Sequence, residues 1–244
     1  MKTRQLHGTP YEVVVQKLHA YNLDTILLAN FASTRIKKSK KIVDLGTGNG
    51  VLMLYISLYT DAHMVGYDIT PDLIDIANQN IKLNHLQHQI EAIEQDVTTL
   101  TMIDCDTIIT NPPYFKYDSN TNVSTHESRT IARFEISMTI DTILALSSKS
   151  LKTKQSLLMI HRSDRLDEIM IKAQHVQLTL KEVQFIHPYQ DKPSEVVLLH
   201  FIKDGKQALK VLPPMILYDT KHQLSLPLKN IYKGVSNVTE YIKP

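Results

Sequence analysis

The sequence has little of the chemistry that supports disulfide frameworks, zinc sites or membrane insertion. Its single cysteine, Cys105, excludes an intramolecular disulfide and a zinc site of the CxxC type. No stretch approaches the roughly 18 consecutive apolar residues needed to span a bilayer, and the first residues lack the apolar core of a signal peptide. Among eleven histidines, only His85 and His88 form a close pair near a predicted helix, and no acid or cysteine completes a metal set. We therefore expect a cytoplasmic protein without a metal, in which Cys105 is a small packing residue.

The composition is that of an ordinary soluble globular protein. With 244 residues, of which 43% are hydrophobic and 21% charged, the chain can bury a sizeable core. No internal repeat or second core is visible. We expect a monomer of one domain, with an N-terminal basic and helical extension (1–40), a core sheet (41–202) and a C-terminal extension (203–244).

Positive charge is concentrated at the two ends of the chain. Residues 1–41 hold eight Lys or Arg against two acidic residues, and residues 203–244 hold seven against three. Because the net charge of the whole chain is only +2, the middle must be acidic. This asymmetry is compatible with a polyanionic partner, although lysines that merely keep exposed ends soluble explain it equally well.

Short apolar runs alternate with helical periodicity from residue 41 onward, which predicts an α/β protein with a doubly wound, mostly parallel seven-stranded sheet and helices on both faces. The last two runs, separated by residues 187–193, predict a terminal antiparallel pair. The predicted strands are Lys41–Leu45, His63–Tyr67, Ile90–Glu94, Asp106–Thr110, Ser156–Ile160, Leu178–Ile186 and Glu195–Ile202. The predicted helices are Asp24–Ala32 with Asp24 as its cap, Val51–Tyr59, Pro71–Asn84, Arg133–Leu146 and Asp164–His175, and residues 211–218 are expected to be extended.

A glycine loop follows the first strand of the core. Gly46, Gly48 and Gly50 do not match the G-x-G-x-x-G fingerprint of a dinucleotide pyrophosphate, and glycines without Cβ allow a ligand body to approach the backbone closely.

Acidic residues end the first strands. We expect Asp44 to hold a cationic amino group, Asp68, followed by Ile69, to accept ribose hydroxyls, and Asp96 with the Val97 N–H to bind adenine. A ligand with an ammonium, a ribose and an adenine but no phosphate is S-adenosylmethionine.

The fourth strand ends in Asn111-Pro112-Pro113-Tyr114, and two adjacent prolines cannot continue a central strand. The break leaves an amide and free carbonyl oxygens at the carboxyl end of a buried strand, where open α/β sheets place their ligands. The Asn111 side-chain oxygen and the Pro112 carbonyl can each accept an N–H from a planar NH₂ group, while Tyr114 and Phe115 offer flat faces for a base. A Pro-Pro turn with Asn as a turn former is the alternative interpretation. The pattern predicts methylation of an amine without choosing the amine.

The two motifs together resemble the amino-methylating class I methyltransferases that use S-adenosylmethionine. Their flanks narrow the resemblance to the bacterial tRNA(Val) adenine-37 N6-methyltransferase family, from about residue 10 to about residue 220. The segments that carry it are Leu23–Phe31, Ala132–Glu135, His161–Leu166 and Leu209–Pro214. Phe134 and Ser163 depart from the residues expected in that family, a His and a Pro.

The resemblance implies methyl transfer to N6 of the adenine beside the anticodon of a tRNA. It also implies that Leu23 and Asp24 lie in the segment that closes over the cofactor. Arg129 and Arg133, in or beside the long polar stretch that follows Tyr114, are candidate phosphate contacts.

Other functions remain open at this point. A glutamine-N5 methyltransferase of release factors uses the same tetrapeptide, because a carboxamide is another planar NH₂ group, but an N-terminal helical domain would be expected with it. An rRNA or DNA amino-methyltransferase is a further alternative. A protein that binds RNA and keeps S-adenosylmethionine only as a structural ligand would not need Asn111 and Tyr114.

Overall fold

A computed structural model describes residues 2–14, 23–113, 138–220 and 223–234. Within them the strands are β1 (Thr3–Gln5), β2 (Glu12–Val14), β3 (Lys41–Leu45), β4 (His63–Asp68), β5 (Ile90–Glu94), β6 (Thr107–Thr110), β7 (Ser156–Arg162), β8 (Leu178–His187), β9 (Val196–Lys203), β10 (Lys210–Val211), β11 (Met215–Ile216), β12 (Tyr218–Thr220) and β13 (Gln223–Leu224). The α-helices are α1 (Leu23–Ala32), α2 (Val51–Ser57), α3 (Pro71–Leu83), α4 (Ile140–Ser150), α5 (Leu166–His175) and α6 (Leu226–Tyr232).

Seven strands form the main sheet in the order β5-β4-β3-β6-β7-β9-β8, and the two-residue strands β10 and β11 pair with the outer edge of β8. Strands β3 to β7 are mutually parallel. Strand β9 runs antiparallel to both of its neighbours, β7 and β8. The predicted doubly wound sheet with a terminal antiparallel pair is therefore confirmed.

Hydrophobic side chains cover both faces of this sheet. Helices α1, α2, α3 and α6 pack on one face, and helices α4 and α5 pack on the other. Strand β7 shows the alternation that this arrangement requires, because Leu158 and Ile160 belong to the first core whereas Leu157 and Met159 belong to the second. Cys105 lies in the second core, and burial raises the pKa of its thiol to about 12, as fits a packing residue.

The N-terminal strands form a hairpin that docks on helix α3 through two asparagines one turn apart. The buried side chain of Asn80 accepts a hydrogen bond from the Val14 N–H at 2.8 Å, and that of Asn84 accepts one from the Glu12 N–H at 2.9 Å. Asn80 also donates to the Asn49 carbonyl in the glycine loop at 2.9 Å. The extension that we expected to be helical thus begins with strands that contact the core.

Several predicted boundaries are wrong by a few residues. Of the helix expected at Arg133–Leu146, residues 133–137 lie outside the described residues. Helix α4 begins at Ile140, where Thr139 has an extended backbone and caps it by accepting from the Thr142 N–H at 3.2 Å, and it ends at Ser150, beyond the expected Leu146. Helix α1 begins at Leu23, so Asp24 lies inside its first turn and is not the cap. Strand β4 extends to Asp68, and helix α2 ends at Ser57.

The helices that the structure describes are all too short or too polar to cross a bilayer.

Gly48 in the glycine loop and Gly66 in β4 differ in how closely other atoms pack around them. A Cβ added at Gly66 in β4 would lie 2.5 Å from Met53 Cε and 2.6 Å from Thr47 Oγ1, whereas no described atom lies within 4 Å of one added at Gly48. We expect Gly66→Ala to lower the free energy of unfolding by about 2 kcal/mol or more through overpacking. Gly48→Ala should cost about 1 kcal/mol, since its φ of 55° favours glycine. Urea unfolding of both variants measures the difference, and equal losses would contradict the close packing at Gly66.

Candidate active site

Strands β3, β4, β5 and β6 are parallel neighbours, so their carboxyl ends meet at one edge of the sheet. The register aligns Leu45 with Tyr67 on one side and with Thr110 on the other. The glycine loop that follows β3 therefore lies between Asp68 at the end of β4 and the Asn-Pro-Pro break that follows β6. The predicted cofactor and target motifs occupy adjacent strand ends.

The glycine loop is held against the end of β4 by backbone hydrogen bonds. The N–H groups of Gly46 and Thr47 both donate to the Tyr67 carbonyl, at 2.9 and 3.0 Å. Gly46, Gly48 and Gly50 have φ angles of 75°, 55° and 77°, in the left-handed region that favours glycine. No atom of the described residues lies within 4 Å of a Cβ added at Gly48, so this part of the chain leaves its backbone accessible to a ligand.

Asp68 anchors this loop from the strand beside it. Its side chain is 1% exposed, with Oδ2 accepting from the Gly48 N–H and Oδ1 from the Thr70 N–H, both at 2.9 Å. Burial raises the pKa of Asp68, and the backbone donors oppose that shift. The predicted contact with ribose hydroxyls stays a prediction, and it would use the remaining acceptor capacity of these two oxygens.

Asp44 is a buried carboxylate without a hydrogen bond. Among the described residues, neither of its oxygens has a partner, and the same is true of the nearby Thr47 hydroxyl. Burial raises the pKa of Asp44 to about 7 and the charge of Asp68 adds to the rise, while the dipole of the nearby Thr47 hydroxyl, which is not placed for a hydrogen bond, opposes it. An unpartnered buried carboxylate is costly in free energy, and the predicted contact with a cationic amino group would offset that cost.

A narrow crevice at the same edge brings together four predicted residues, Gly46, Asp68, Ile69 and Val97. It also includes three residues that we did not predict, namely Tyr67, Gln95 and Met138. Tyr67 and Gln95 could have been inferred, because each directly precedes a strand-end acid in the sequence. Met138 carries no such signal, since only the fold brings the residue before helix α4 to this crevice.

Asp96 caps the short 3-10 turn at Val97–Thr99 that follows β5. Its Oδ1 accepts from the Thr98 N–H at 2.8 Å and from the Thr98 hydroxyl at 2.7 Å. The Gln95 N–H donates to the Asp68 carbonyl at 2.8 Å, which ties the ends of β4 and β5 together. The predicted recognition of an adenine amine would therefore fall to the second oxygen of Asp96.

The Asn-Pro-Pro break lies against helix α1. Asn111 is partly buried, and its Nδ2 donates to Thr25 Oγ1 at 3.3 Å. Pro112 is buried and Pro113 partly exposed. Leu23 and Asp24 lie in the same first turn of α1 as Thr25, so the segment expected to close over the cofactor does contact the target motif. Tyr114, Phe115, Arg129 and Arg133 lie outside the described residues, as does Phe134.

His161 lies near the end of β7, two residues beyond Met159, which pairs with Thr110 of β6. Its ring is 2% exposed, and its Nδ1 accepts from the Arg162 N–H at 2.9 Å. Burial, together with the charge of Arg165, lowers the pKa of His161 to about 4. The imidazole at this end of β7 is therefore neutral at physiological pH. No group of three or more His, Cys, Asp or Glu side chains suited to a metal occurs in the ranges the structure covers.

A comparison with protein families assigns the region that carries these motifs. The model of the "Methyltransferase small domain" family matches residues 22–134, which include helix α1, the glycine loop and the Asn-Pro-Pro-Tyr motif.

Curated relatives and solved structures agree with this methyltransferase domain. The tRNA1(Val) (adenine(37)-N6)-methyltransferase of Phocaeicola vulgatus is 27% identical over 181 residues, covering 73% of this chain and 74% of that protein. The protein of the same name from Tolumonas auensis is 32% identical over 94 residues, covering 38% of this chain and 39% of its own. A crystal structure of a predicted O-methyltransferase from Agrobacterium tumefaciens superposes with a TM-score of 0.66 at 20% identity, covering 87% of this chain and 96% of that one.

A second solved structure is the Thermus thermophilus 16S rRNA N2 G1207 methyltransferase in complex with AdoMet and guanosine. It has a TM-score of 0.55 at 16% identity, and the match covers 83% of this chain and 50% of that one. At these identities the two superpositions establish the fold alone, which is that of the class I methyltransferases.

Asp44 and His161 should change stability with pH in opposite directions. The folded state holds the Asp44 proton more tightly than the unfolded state, so its contribution to the free energy of unfolding falls as pH rises from about 4 to about 7. The folded state holds the His161 proton less tightly, so its contribution rises between about pH 4 and pH 6.5.

We therefore expect Asp44→Asn to gain stability relative to the wild type as pH rises, and His161→Gln to lose it. Each change should approach about 1.4 kcal/mol per pH unit at most. Urea unfolding at a series of pH values checks both signs. Parallel curves for the three proteins would show that neither group titrates as its burial indicates.

Proposed function

We propose that this chain transfers the methyl group of S-adenosylmethionine to the exocyclic N6 amine of an adenine in tRNA, most specifically adenine 37 of tRNA1(Val). The observation that carries the proposal is the placement of Asn111 and Pro112 at the strand end next to Asp44 and the glycine loop. The names of the relatives supply the substrate, because the geometry of the strand ends supports methylation of an amine without selecting one.

The residues present fit S-adenosylmethionine. The two oxygens of Asp44, which have no partner among the described residues, suit its ammonium group, and the space that those residues leave at Gly48 lets the ligand lie close to the backbone. Ile69 and Val97 give the crevice apolar walls where an adenine would lie. When bound, S-adenosylmethionine supplies an electrophilic methyl group on a sulfonium sulfur.

Asn111 and Pro112 prepare the target amine for attack. The lone pair of an exocyclic adenine amine is delocalised into the ring, which makes it a poor nucleophile. The Asn111 Oδ1 and the Pro112 carbonyl can each accept one N–H of the amine from outside the ring plane, which favours a pyramidal nitrogen with a localised lone pair. The same two oxygens stabilise the positive charge that develops on this nitrogen.

Proton removal does not require a dedicated base in this proposal. The methylated ammonium is strongly acidic, so it loses its proton to water after transfer. His161 is not assigned this role, because its ring nitrogen Nδ1 accepts the Arg162 N–H. Tyr114 and Phe115, which lie outside the described residues, would stack on an adenine turned out of the RNA, the usual means of reaching a base atom.

The function is tested by methyl transfer from radiolabelled S-adenosylmethionine to unmodified tRNA1(Val) and, in parallel, to a bacterial release factor. We expect label in the tRNA, and mass spectrometry should place N6-methyladenosine at position 37. The release factor should stay unlabelled. Label in the release factor alone would replace the proposal with the glutamine-N5 alternative.

In the same assay, Asn111→Ala should reduce turnover by a factor on the order of 10² or more, since it removes a preorganised polar contact with the reacting group. Asn78→Ala makes the same truncation at an exposed position on helix α3 and should leave turnover unchanged. Affinity for S-adenosylmethionine, measured by calorimetry, should be similar in both variants. Full turnover by Asn111→Ala would refute the mechanism.

S-adenosylmethionine binding should depend on the ionisation of Asp44. The carboxyl must lose its proton to pair with the ammonium, and its pKa without ligand is about 7. We expect the affinity to increase about tenfold between about pH 5.5 and pH 7, with proton release on binding. Asp44→Asn should bind more weakly and show no such increase. Calorimetry in buffers of different ionisation enthalpy measures both quantities, and a pH-independent affinity in the wild type would exclude Asp44 as the ammonium partner.

A further inference from the structure

We propose that Thr25 is a positioning residue for methyl transfer, which holds the Asn111 carboxamide with its oxygen toward the target amine and its nitrogen toward helix α1. This inference rests on the proposed function, since it assigns a role in the same reaction. It concerns a residue that neither the glycine loop nor the Asn-Pro-Pro-Tyr motif includes.

The contact that carries the inference joins helix α1 to the end of β6. Thr25 is 9% exposed, and its Oγ1 accepts a hydrogen bond from Asn111 Nδ2 at 3.3 Å. That distance is longer than the usual 2.9–3.0 Å and still within hydrogen-bond reach. The two residues are 86 positions apart in the sequence, so only the tertiary fold brings them together.

The orientation of a carboxamide matters at this position because its two ends have the same shape and opposite hydrogen-bonding character. An oxygen turned toward the target accepts an N–H of the amine and stabilises charge on the nitrogen. An NH₂ group in its place would present donors to donors, and the attack would lose its electrostatic support. A half-turn of the Asn111 side chain therefore separates a productive site from an unproductive one.

Thr25 can impose an orientation because helix α1 is rigidly held. Ile26, Leu27 and Leu28 are at most 4% exposed in the core between the helix and the sheet. Directly beyond the helix, the Arg35 guanidinium contacts the Glu182 carboxylate on β8 at 2.6 and 2.7 Å. Helix α1 is thus fixed to the sheet by its buried side chains and by an ion pair just beyond its C-terminal end.

A purely structural role for Thr25 would be to pack helix α1 against the sheet. The two roles make different predictions. Loss of a packing contact lowers stability and weakens ligand binding without a specific effect on the chemical step. Loss of a positioning contact lowers the rate of transfer while the protein stays folded and binds its ligands.

The experiment compares Thr25→Val with Thr25→Ser in the full-length protein. Valine keeps the branched shape and burial but cannot accept a hydrogen bond, whereas serine keeps the hydroxyl. We expect kcat of Thr25→Val to fall about 10- to 100-fold, the range found for groups that orient a reacting ligand through one intervening contact. KM for tRNA and the affinity for S-adenosylmethionine should change by less than about threefold, and Thr25→Ser should recover most of kcat.

A double-mutant cycle with Asn111→Ala locates the effect. If Thr25 acts through Asn111, Thr25→Val should cause no further loss of kcat once the carboxamide is removed. Independent, multiplicative losses would overturn the inference. A Thr25→Val variant with wild-type kcat would also overturn the inference, as would one in which only stability and ligand affinity change. If Thr25→Val does not fold, Thr25→Ala removes the same acceptor without adding bulk and is judged by the same criteria.

Failure of this inference differs from failure of the proposed function. A wild type that methylates no tRNA overturns the proposed function and this inference with it. If the wild type methylates tRNA and Thr25→Val does so at the same rate, only the role of Thr25 is overturned.

Discussion

The common direction of strands β3, β4, β5 and β6 is the constraint on which the site depends. Parallel strands deliver their carboxyl ends to one edge of the sheet, where the backbone groups of successive turns are left to bind one another or a ligand. Here the turn after β3 bonds to the end of β4, and the end of β4 bonds to the residue after β5. The edge is therefore a connected rim and not a set of separate loops. The Asn-Pro-Pro break, the proposed target site, follows the next strand along this edge.

The three acidic residues at this edge, Asp44, Asp68 and Asp96, differ in what their carboxylates contact. Asp68 and Asp96 use their oxygens to hold backbone and hydroxyl donors, which fixes the shape of the loops around them. Asp44 has no such partner among the described residues, and its carboxylate is buried at a cost in free energy. A bound cation would offset that cost. Asp68 and Asp96 thus hold the loops in place, whereas Asp44 is the acid that the proposed function assigns to the ligand.

Most of the architecture could be predicted from local patterns. The alternation of apolar runs with helical periodicity identified all seven main strands, and the proline pair located the end of β6 to the residue. Boundaries were missed where side-chain capping decided them, as at Thr139, whose hydroxyl starts helix α4 later than periodicity suggests. The N-terminal hairpin was missed because its strands are three residues long and are stabilised by Asn80 and Asn84 of helix α3, a contact with no local signal.

By itself, the sequence determined which residues carry polar chemistry at strand ends, because glycine, proline and acidic residues impose backbone breaks that need no tertiary context. It did not determine how each acid is used, since Asp44 and Asp68 have the same side chain at equivalent strand ends. Tertiary structure decided that, by supplying backbone donors to Asp68 and withholding them from Asp44. It also decided the contact of Thr25 with Asn111 and the position of Met138 in the crevice, because a hydrogen bond or a packing contact depends on distances that only the folded chain sets.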